Sequence, residues 1–277
     1  ERLHSQGLTI QPGKDFELVD IKNSPYYEAS WKEYYNLRKR KGVTEEMARR
    51  RLKANSTLVG ALLVRLGHAD GLVCGTMGRF HDHFAVMEEV IGYNNPEKEA
   101  FAMNALISNK GNFFIADTYI NENPTAEQLA NGTLMCAAEM KRIGLKPKVA
   151  LVSNSNYGSH CSPDARKMQR ALEIIRELDP TLEIDGEMQA DVALDETMRK
   201  SIFPETTLSG AANLLVMPNV EAANISYNLL RVNATNGITV GPILMGLNKP
   251  VQIVTPISTV RRIVNMIALA VVDAQRQ

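Results

Sequence analysis

The chain has 277 residues, which gives a prior of about two domains of ~150 residues each and excludes a small module held by disulfides or a metal. Lys plus Arg number 31 and Asp plus Glu 31, for a net charge of +0, so no global field draws the chain to nucleic acid or anionic lipid and any anion site must be local. With 44% apolar and 22% charged residues, the composition is that of a soluble globular protein and excludes a disordered or fibrous one.

Cys74, Cys136 and Cys161 are widely spaced, form no C-x-x-C pair and are odd in number, which points to a reducing, cytoplasmic setting. No run approaches the ~18 apolar residues of a membrane span. The segment through Ser30 has no sustained periodicity; residues 31–53 then read as two helices broken at Gly42-Val43. Thr44 caps the second, with Glu45 and Glu46 in its first turn. An apolar helix is expected from Ser56, a turn at Ala69-Asp70-Gly71 and a short buried strand at Leu72-Val73-Cys74. FFIADTYI (113–120) is strand-like, and Pro124 and Thr125 open a long helix that Gly144 closes. Thr125 and Gln128 have capping-box spacing.

Residues 149–153, VALVS, read as a strand buried on both faces. A polar loop follows, then a helix capped by Ser162 with Pro163 in its first turn. Met168, Leu172, Ile175 and Leu178 share one face of it, and Pro180 ends it. ANLLVMP (212–218) is a strand, EAANISYNLLRV (221–232) a helix, VQIVT (251–255) a strand and STVRRIVNMIALAVVDAQ (258–275) a helix. This alternation predicts an α/β fold with a mostly parallel sheet.

In such sheets ligands sit beyond the carboxyl ends of the strands, where loops enter helix N-termini. Three loops qualify. Ser153–Ser162 gathers backbone donors, hydroxyls and a flexible glycine, with Asn156, Tyr157, Gly158 and Ser159 at its centre; it either cradles a phosphate or only caps the helix. Thr255–Ile263 puts Arg261 and Arg262 in a first turn whose dipole is already positive, a conflict that an anion or plain solvent exposure would relieve. Gly237–Pro242 reads as a Gly/Pro turn, with Gly241 and Pro242 either allowing close approach of a ligand or shaping the turn alone.

His81 and His83 flank Asp82, but imidazoles at i and i+2 diverge on a helix and no zinc spacing is present, so no metal site is assigned. Arg38, Lys39, Arg40, Lys41, Arg49, Arg50, Arg51 and Lys53 form a basic block. On a neutral chain a solvated helical face or subunit contact outweighs nucleic-acid binding. No G-x-S-x-G elbow, Walker loop or G-x-G-x-x-G fingerprint occurs.

Taken together, ADGLVCG (69–75), IADTYINENPTAEQLA (115–130), the 153–162 loop, IDGEMQADVAL (184–194), NLLVMPNVEAANISYNLL (213–230), GPILMGLNKPV (241–251) and IVNMIALAVVDAQ (263–275) resemble the phosphate acetyltransferase and butyryltransferase family. The spellings CGTMGRFHDHFAVMEEVIG, AMNALI and TPISTVRRIVNM look most like the carboxy-terminal, phosphotransacetylase-like domain of multimodular NADP-dependent malic enzymes. The resemblance implies two α/β domains around a cleft: residues 1–98 with 251–277, whose first strand and helix lie upstream of Glu1, and residues 99–250, which carry a dimer contact. It also implies acetyl-CoA as an allosteric inhibitor of malate decarboxylation, a covalently linked malic module holding NADP and a divalent metal, and a homodimer or higher oligomer.

Active relatives carry a Ser-Arg pair that holds phosphate and CoA, and an Asp base for the CoA thiol. Anchored on Ile263-Val264-Asn265, the pair falls on Thr255-Pro256 and the base on Arg262. A further family arginine falls near Ala85. An arginine stays protonated and cannot accept the thiol proton; Pro256 offers no guanidinium. The expectation is a domain with no catalytic residue that still binds acetyl-CoA through Asn156, Tyr157, Gly158, Ser159, Gly241, Pro242, Thr255, Arg261 and Arg262. A working phosphate acetyltransferase is the alternative.

Overall fold

The structure, a computed structural model, describes residue 5 and residues 7–108, 111–234 and 237–276. The chain divides after Ala69 into two compact units. In the first, helices α1 (Tyr27–Arg38), α2 (Glu45–Ala54) and α3 (Ser56–Arg65) follow one another, with a 3-10 turn at Lys39–Lys41. Thr44 caps α2 by accepting from the Met47 amide at 3.2 Å, as its position predicts. Gly42 takes a left-handed φ of 83° at the break between the helices, where an L side chain would be strained. The basic block lies along aromatic rings: the Arg49 guanidinium sits 3.8 Å from the Trp31 centroid, and the Lys53 ammonium 5.3 Å from that of Tyr27. Such cation–π placement is a structural use of these charges.

The second unit holds two sheets. β1 (Leu72–Gly75) pairs in parallel with β8 (Val251–Val254); β1 is half-buried, where its apolar run predicts full burial. Helix α4 (Phe80–Val90) follows β1. The larger sheet comprises β2 (Phe101–Ser108), β3 (Gly111–Ala116), β4 (Val149–Val152), β5 (Ile184–Met188), β6 (Leu214–Val216) and β7 (Ile238–Met245), in the order β5-β4-β6-β3-β2-β7. β3, β4, β5 and β6 pair in parallel, and β2 runs antiparallel between β3 and β7.

Helices cover both faces of this sheet. Val149 and Leu151 of β4 pack to one side with α5 (Ala126–Arg142) and α6 (Pro163–Leu178); Ala150 and Val152 pack to the other, with α7 (Ala190–Leu194) and α9 (Val220–Asn233). That is the burial the apolar run of β4 predicts. Two further helices complete the order: the short α8 (Glu196–Ile202) follows α7, and α10 (Val260–Ala274) follows β8. The capping box at Thr125 and Gln128 forms at α5, and Ser162 caps α6 with Pro163 in its first turn.

Three strands are not evident from sequence pattern. β2 carries Asn104 in an apolar run, β5 carries Asp185 and Glu187, and β7 contains the Gly241-Pro242 pair. The expected turn at 237–242 is therefore corrected: from Ile238 the chain is strand. The register slips between Met103↔Ile243 and Ala105↔Val240, so Gly241 and Pro242 together oppose Asn104 in a bulge. A bulge tolerates the proline's missing N–H, which the interior of a regular ladder does not.

Candidate ligand site

The β8–α10 junction starts from a small hydrogen-bonded turn. The Ser258 amide donates to the Thr255 carbonyl at 2.9 Å, and the Thr255 amide donates to Ser258 Oγ at 3.1 Å. Thr259 then caps α10, accepting from the Arg262 amide at 3.2 Å. The expected pair of first-turn arginines is present, but the two differ. Arg261 faces solvent, whereas Arg262 is only 3% exposed.

The buried guanidinium of Arg262 is held by neutral acceptors. Nε donates to the Gly241 carbonyl, and Nη2 donates to Asn104 Oδ1 at 2.8 Å and to the Tyr227 hydroxyl at 3.3 Å. The bulge explains two of these: it leaves Asn104 and the Gly241 carbonyl outside the regular ladder. Asn104 in turn donates through Nδ2 to Thr118 Oγ1 at 2.8 Å. Gly241 has a φ of +121°, and a Cβ there would lie 2.8 Å from the Met103 carbonyl oxygen. What comes close to Gly241 is thus strand β2.

Around this guanidinium stand Tyr119, Tyr227 and Arg231. The Arg231 guanidinium lies 5.8 Å from the Tyr227 ring centroid, and Tyr119 packs at a tilt against Phe80 with centroids 4.7 Å apart. Burial pushes the Tyr119 phenol up, while the charges of Arg262 and Arg231 pull it down. Its loop is fixed by Asp117, a buried carboxylate that accepts from the amides of Tyr119, Ile120 and Asn121 at 2.9–3.1 Å. Burial raises Asp117 above the usual carboxylate range, against the pull of those amides.

The Ser153–Ser162 loop is built differently. Glu187, 1% exposed, accepts from Ser155 Oγ at 2.6 Å and from the Gly158 amide at 2.7 Å. The Asn156 amide donates to Ser159 Oγ, the Tyr157 amide to the Glu187 carbonyl, the Ser159 amide to the Asn156 carbonyl and the His160 amide to Ser155 Oγ. The donors that mark a phosphate cradle are thus turned on an internal carboxylate and on the loop itself. Tyr157 stacks on Phe203 at 4.3 Å and bonds Asp185 through its hydroxyl. Burial, helped by the Asp185 charge, pushes that phenol up to about 12, although its hydrogen bond with Thr206 opposes this.

Of the residues expected to bind ligand, the structure brings Gly241, Pro242 and Arg262 together, with Thr255 and Arg261 at the same helix entry. It does not bring Asn156–Ser159 to them: that loop leaves β4, four strand spacings from β7, or roughly 19 Å. Ala85 is exposed on α4. His83 Nε2 lies 2.7 Å from the Met77 carbonyl oxygen, and no group of three His, Cys, Asp or Glu fit for a metal occurs among the described residues. Asn104, Tyr119, Tyr227 and Glu187 escaped the sequence reading. A lone Asn inside an apolar strand and two acids inside a strand were the available signals.

Comparison with known proteins matches residues 1–271 to a family described as phosphate acetyl/butaryl transferase. The chain is 53% identical over 276 residues to an NADP-dependent malic enzyme of Escherichia coli (strain K12), covering 100% of this chain but 36% of that protein. It is 33% identical to a phosphate acetyltransferase of Thermoanaerobacterium thermosaccharolyticum, covering 98% of this chain and 83% of that protein. A phosphotransacetylase structure from Streptococcus pyogenes superposes with a TM-score of 0.85 at 28% identity, covering 99% of this chain and 81% of that one.

Proposed function

The chain belongs to the phosphate acetyl/butaryl transferase family, and from that premise we propose that it is a regulatory member which binds acetyl-CoA without transferring its acetyl group and inhibits a linked malic module. It spans about 36% of the length of the malic enzymes it matches; the oxidative decarboxylation of malate, its NADP and its divalent metal are assigned to the part beyond this chain.

One observation carries the reading. The resemblance sets Arg262 at the position of the family's thiol base, and its guanidinium is fixed in the interior on Gly241, Asn104 and Tyr227. Acetyl transfer from acetyl phosphate to CoA needs the thiol proton removed as the C–S bond forms and the C–O bond to phosphate breaks. An arginine is already protonated and cannot take that proton. Pro256, where the resemblance sets a family arginine, supplies no cation for the departing phosphate. Losing a general base costs ~10²–10⁴-fold and losing an electrostatic clamp ~10²–10³-fold, which together remove useful turnover.

Binding is assigned to the α10 entry, where the turn at Thr255, the exposed Arg261 and the Arg262 edge converge. Inhibition at a distance requires that acetyl-CoA bind one arrangement of the longer protein better than another, typically by ~1–3 kcal/mol. The test has two parts. Incubation with acetyl phosphate and CoA should yield no acetyl-CoA above the uncatalysed rate, while calorimetry should detect acetyl-CoA binding. Turnover at about one per second or faster would overturn the reading in favour of an active phosphate acetyltransferase, and absence of heat at millimolar acetyl-CoA would remove the regulatory role.

A further inference from the structure

Helix α10 is apolar on two faces, and the second unit covers one of them. From Ile263 to Val272 its sequence holds a single polar side chain, Asn265. Met266 and Ala270 turn into the core at 0% and 6% exposure. Val264, Ile267 and Val271 are 56%, 46% and 48% exposed and stand at i, i+3 and i+7, one continuous stripe. A helix that is apolar all round is ordinarily buried all round, and an exposed apolar patch marks a contact surface.

Strand β1 lies beside that stripe and is open as well. Among the described residues it pairs with β8 alone. The Leu72 and Thr76 amides donate to the Pro250 and Val254 carbonyls at 2.8 and 3.3 Å, so the two-residue alternation of a strand turns the Val73 amide to the other edge. Leu72, Val73, Cys74 and Gly75 include no charge and no proline, the devices by which natural edge strands avoid pairing. Between β1 and the second half of α10 runs a groove of about 600 Å³, lined chiefly by Leu72, Val73, Ile267, Ala270, Val271 and Ala274.

We propose that this surface docks a strand and an amphipathic helix supplied by further chain of the longer protein, the strand adding to β1 in parallel and the helix lying in the groove against Ile267 and Val271. The two halves of the surface ask for different things: β1 for a hydrogen-bond partner, α10 for apolar cover. A strand that continues into a helix provides both, and a helical crossover is what parallel pairing requires. A lone apolar molecule would fill the groove and leave the edge unpaired. Length supports the source. The matched region is 83% of the Thermoanaerobacterium transferase, 81% of the Streptococcus phosphotransacetylase and 36% of the Escherichia coli malic enzyme, so each of these relatives holds chain beyond it. Arg261 and Arg262 stand at the other end of α10, which would give a ligand there a route to the linked module; the docking itself does not rest on that regulatory reading.

Accessibility in the 277-residue chain and in the longer protein tests the proposal, with no acetyl-CoA present in either. In a Cys161→Ser background, which removes the exposed native thiol, Val271→Cys and, on exposed α8, Ser201→Cys are labelled with a maleimide. Val271→Cys should react at least about tenfold more slowly in the longer protein, and Ser201→Cys at the same rate in both. Hydrogen exchange on the unsubstituted proteins, which needs no variant to fold, should show the Val73 amide protected in the longer protein and not in the 277-residue chain. A benzophenone maleimide on Val271→Cys of the longer protein should cross-link to a peptide from outside residues 1–277. Equal labelling and exchange in the two proteins would overturn the proposal. So would cross-links confined to residues 1–277, or protection of the 277-residue chain that grows with its concentration, because either makes a second copy the occupant. Docking without any response of malate decarboxylation to acetyl-CoA would remove the regulatory reading and leave this surface assigned.

Discussion

Gly241 and Gly158 both have positive φ and both belong to the expected ligand set, yet alanine should affect them very differently. Gly158 (φ +86°) has nothing within 4 Å of its would-be Cβ. Gly158→Ala should cost ~1 kcal/mol of backbone strain, reduced by the ~0.4–1 kcal/mol that restricting the unfolded chain returns. At Gly241 (φ +121°) the new Cβ meets Asn104 Oδ1 at 2.7 Å, the Met103 carbonyl oxygen at 2.8 Å and Asn104 Cα at 3.1 Å. Strain at such a backbone angle costs ~1–3 kcal/mol and overpacking a further ~1–3 kcal/mol, so Gly241→Ala should lose about 3–5 kcal/mol. At ~2–4 °C per kcal/mol for a unit of this size, Tm falls by about 10 °C in one variant and by about 2 °C or less in the other. Adding Asn104→Ala to Gly241→Ala removes only the side-chain contact and should not restore stability, because the backbone contacts remain. Side-by-side calorimetry decides it. Equal losses in the two single variants would refute the reasoning that strand β2, and not backbone angle alone, requires glycine at position 241.

Two other outcomes are expected. Glu183 loses solvation on burial, which raises its carboxyl, but Lys146 at 2.6 Å and two donors from Ser209 outweigh this and hold it at about 2. Its contribution, about 2 kcal/mol after allowing for the exposed lysine, is complete above the unfolded value near pH 4.5 and is lost as pH falls toward 2. The stability gap between wild type and Glu183→Gln should therefore close across that window, and a gap unchanged from pH 6 to pH 2 would contradict it. Among the cysteines, burial pushes the Cys74 thiol up to about 12 and raises Cys136 well above its ordinary value, while Cys161 is exposed. Iodoacetamide on the native protein should modify Cys161 first, because the thiolate is the reactive form; peptide mapping that finds Cys74 modified as fast would count against the burial argument.

The elements legible in the sequence are those whose determinants are local. Thr125 with Gln128, Ser162 with Pro163 and the apolar run of β4 announce their structures within a few residues, and each forms as expected. The strands that escaped notice are those whose polar residues are satisfied from far along the chain. Asn104 is matched by Arg262, Asp185 by Thr206 and Thr207, and Glu187 by Ser155 and Gly158. The same holds for the site. Backbone donors in the 153–162 loop were visible as a candidate cradle, but the carboxylate that occupies them lies in another strand. The two first-turn arginines were visible as a conflict with the helix dipole, but the burial of only Arg262 depends on the β2–β7 bulge, which no local pattern encodes.

The link between Asn104 and Arg262 joins residues 158 positions apart, and this carries a consequence for the order of assembly. All six strands of the larger sheet have been synthesised once Met245 is made, whereas α10 follows later. During synthesis at ~5–20 residues per second, the Gly241 carbonyl waits roughly one to four seconds for its donor and Asn104 roughly eight to thirty. A released chain that ends between residues 245 and 260 should therefore hold all six strands of this sheet with these acceptors still open to water. Formation of the guanidinium contacts is then a late closing step, distinct in time from sheet assembly.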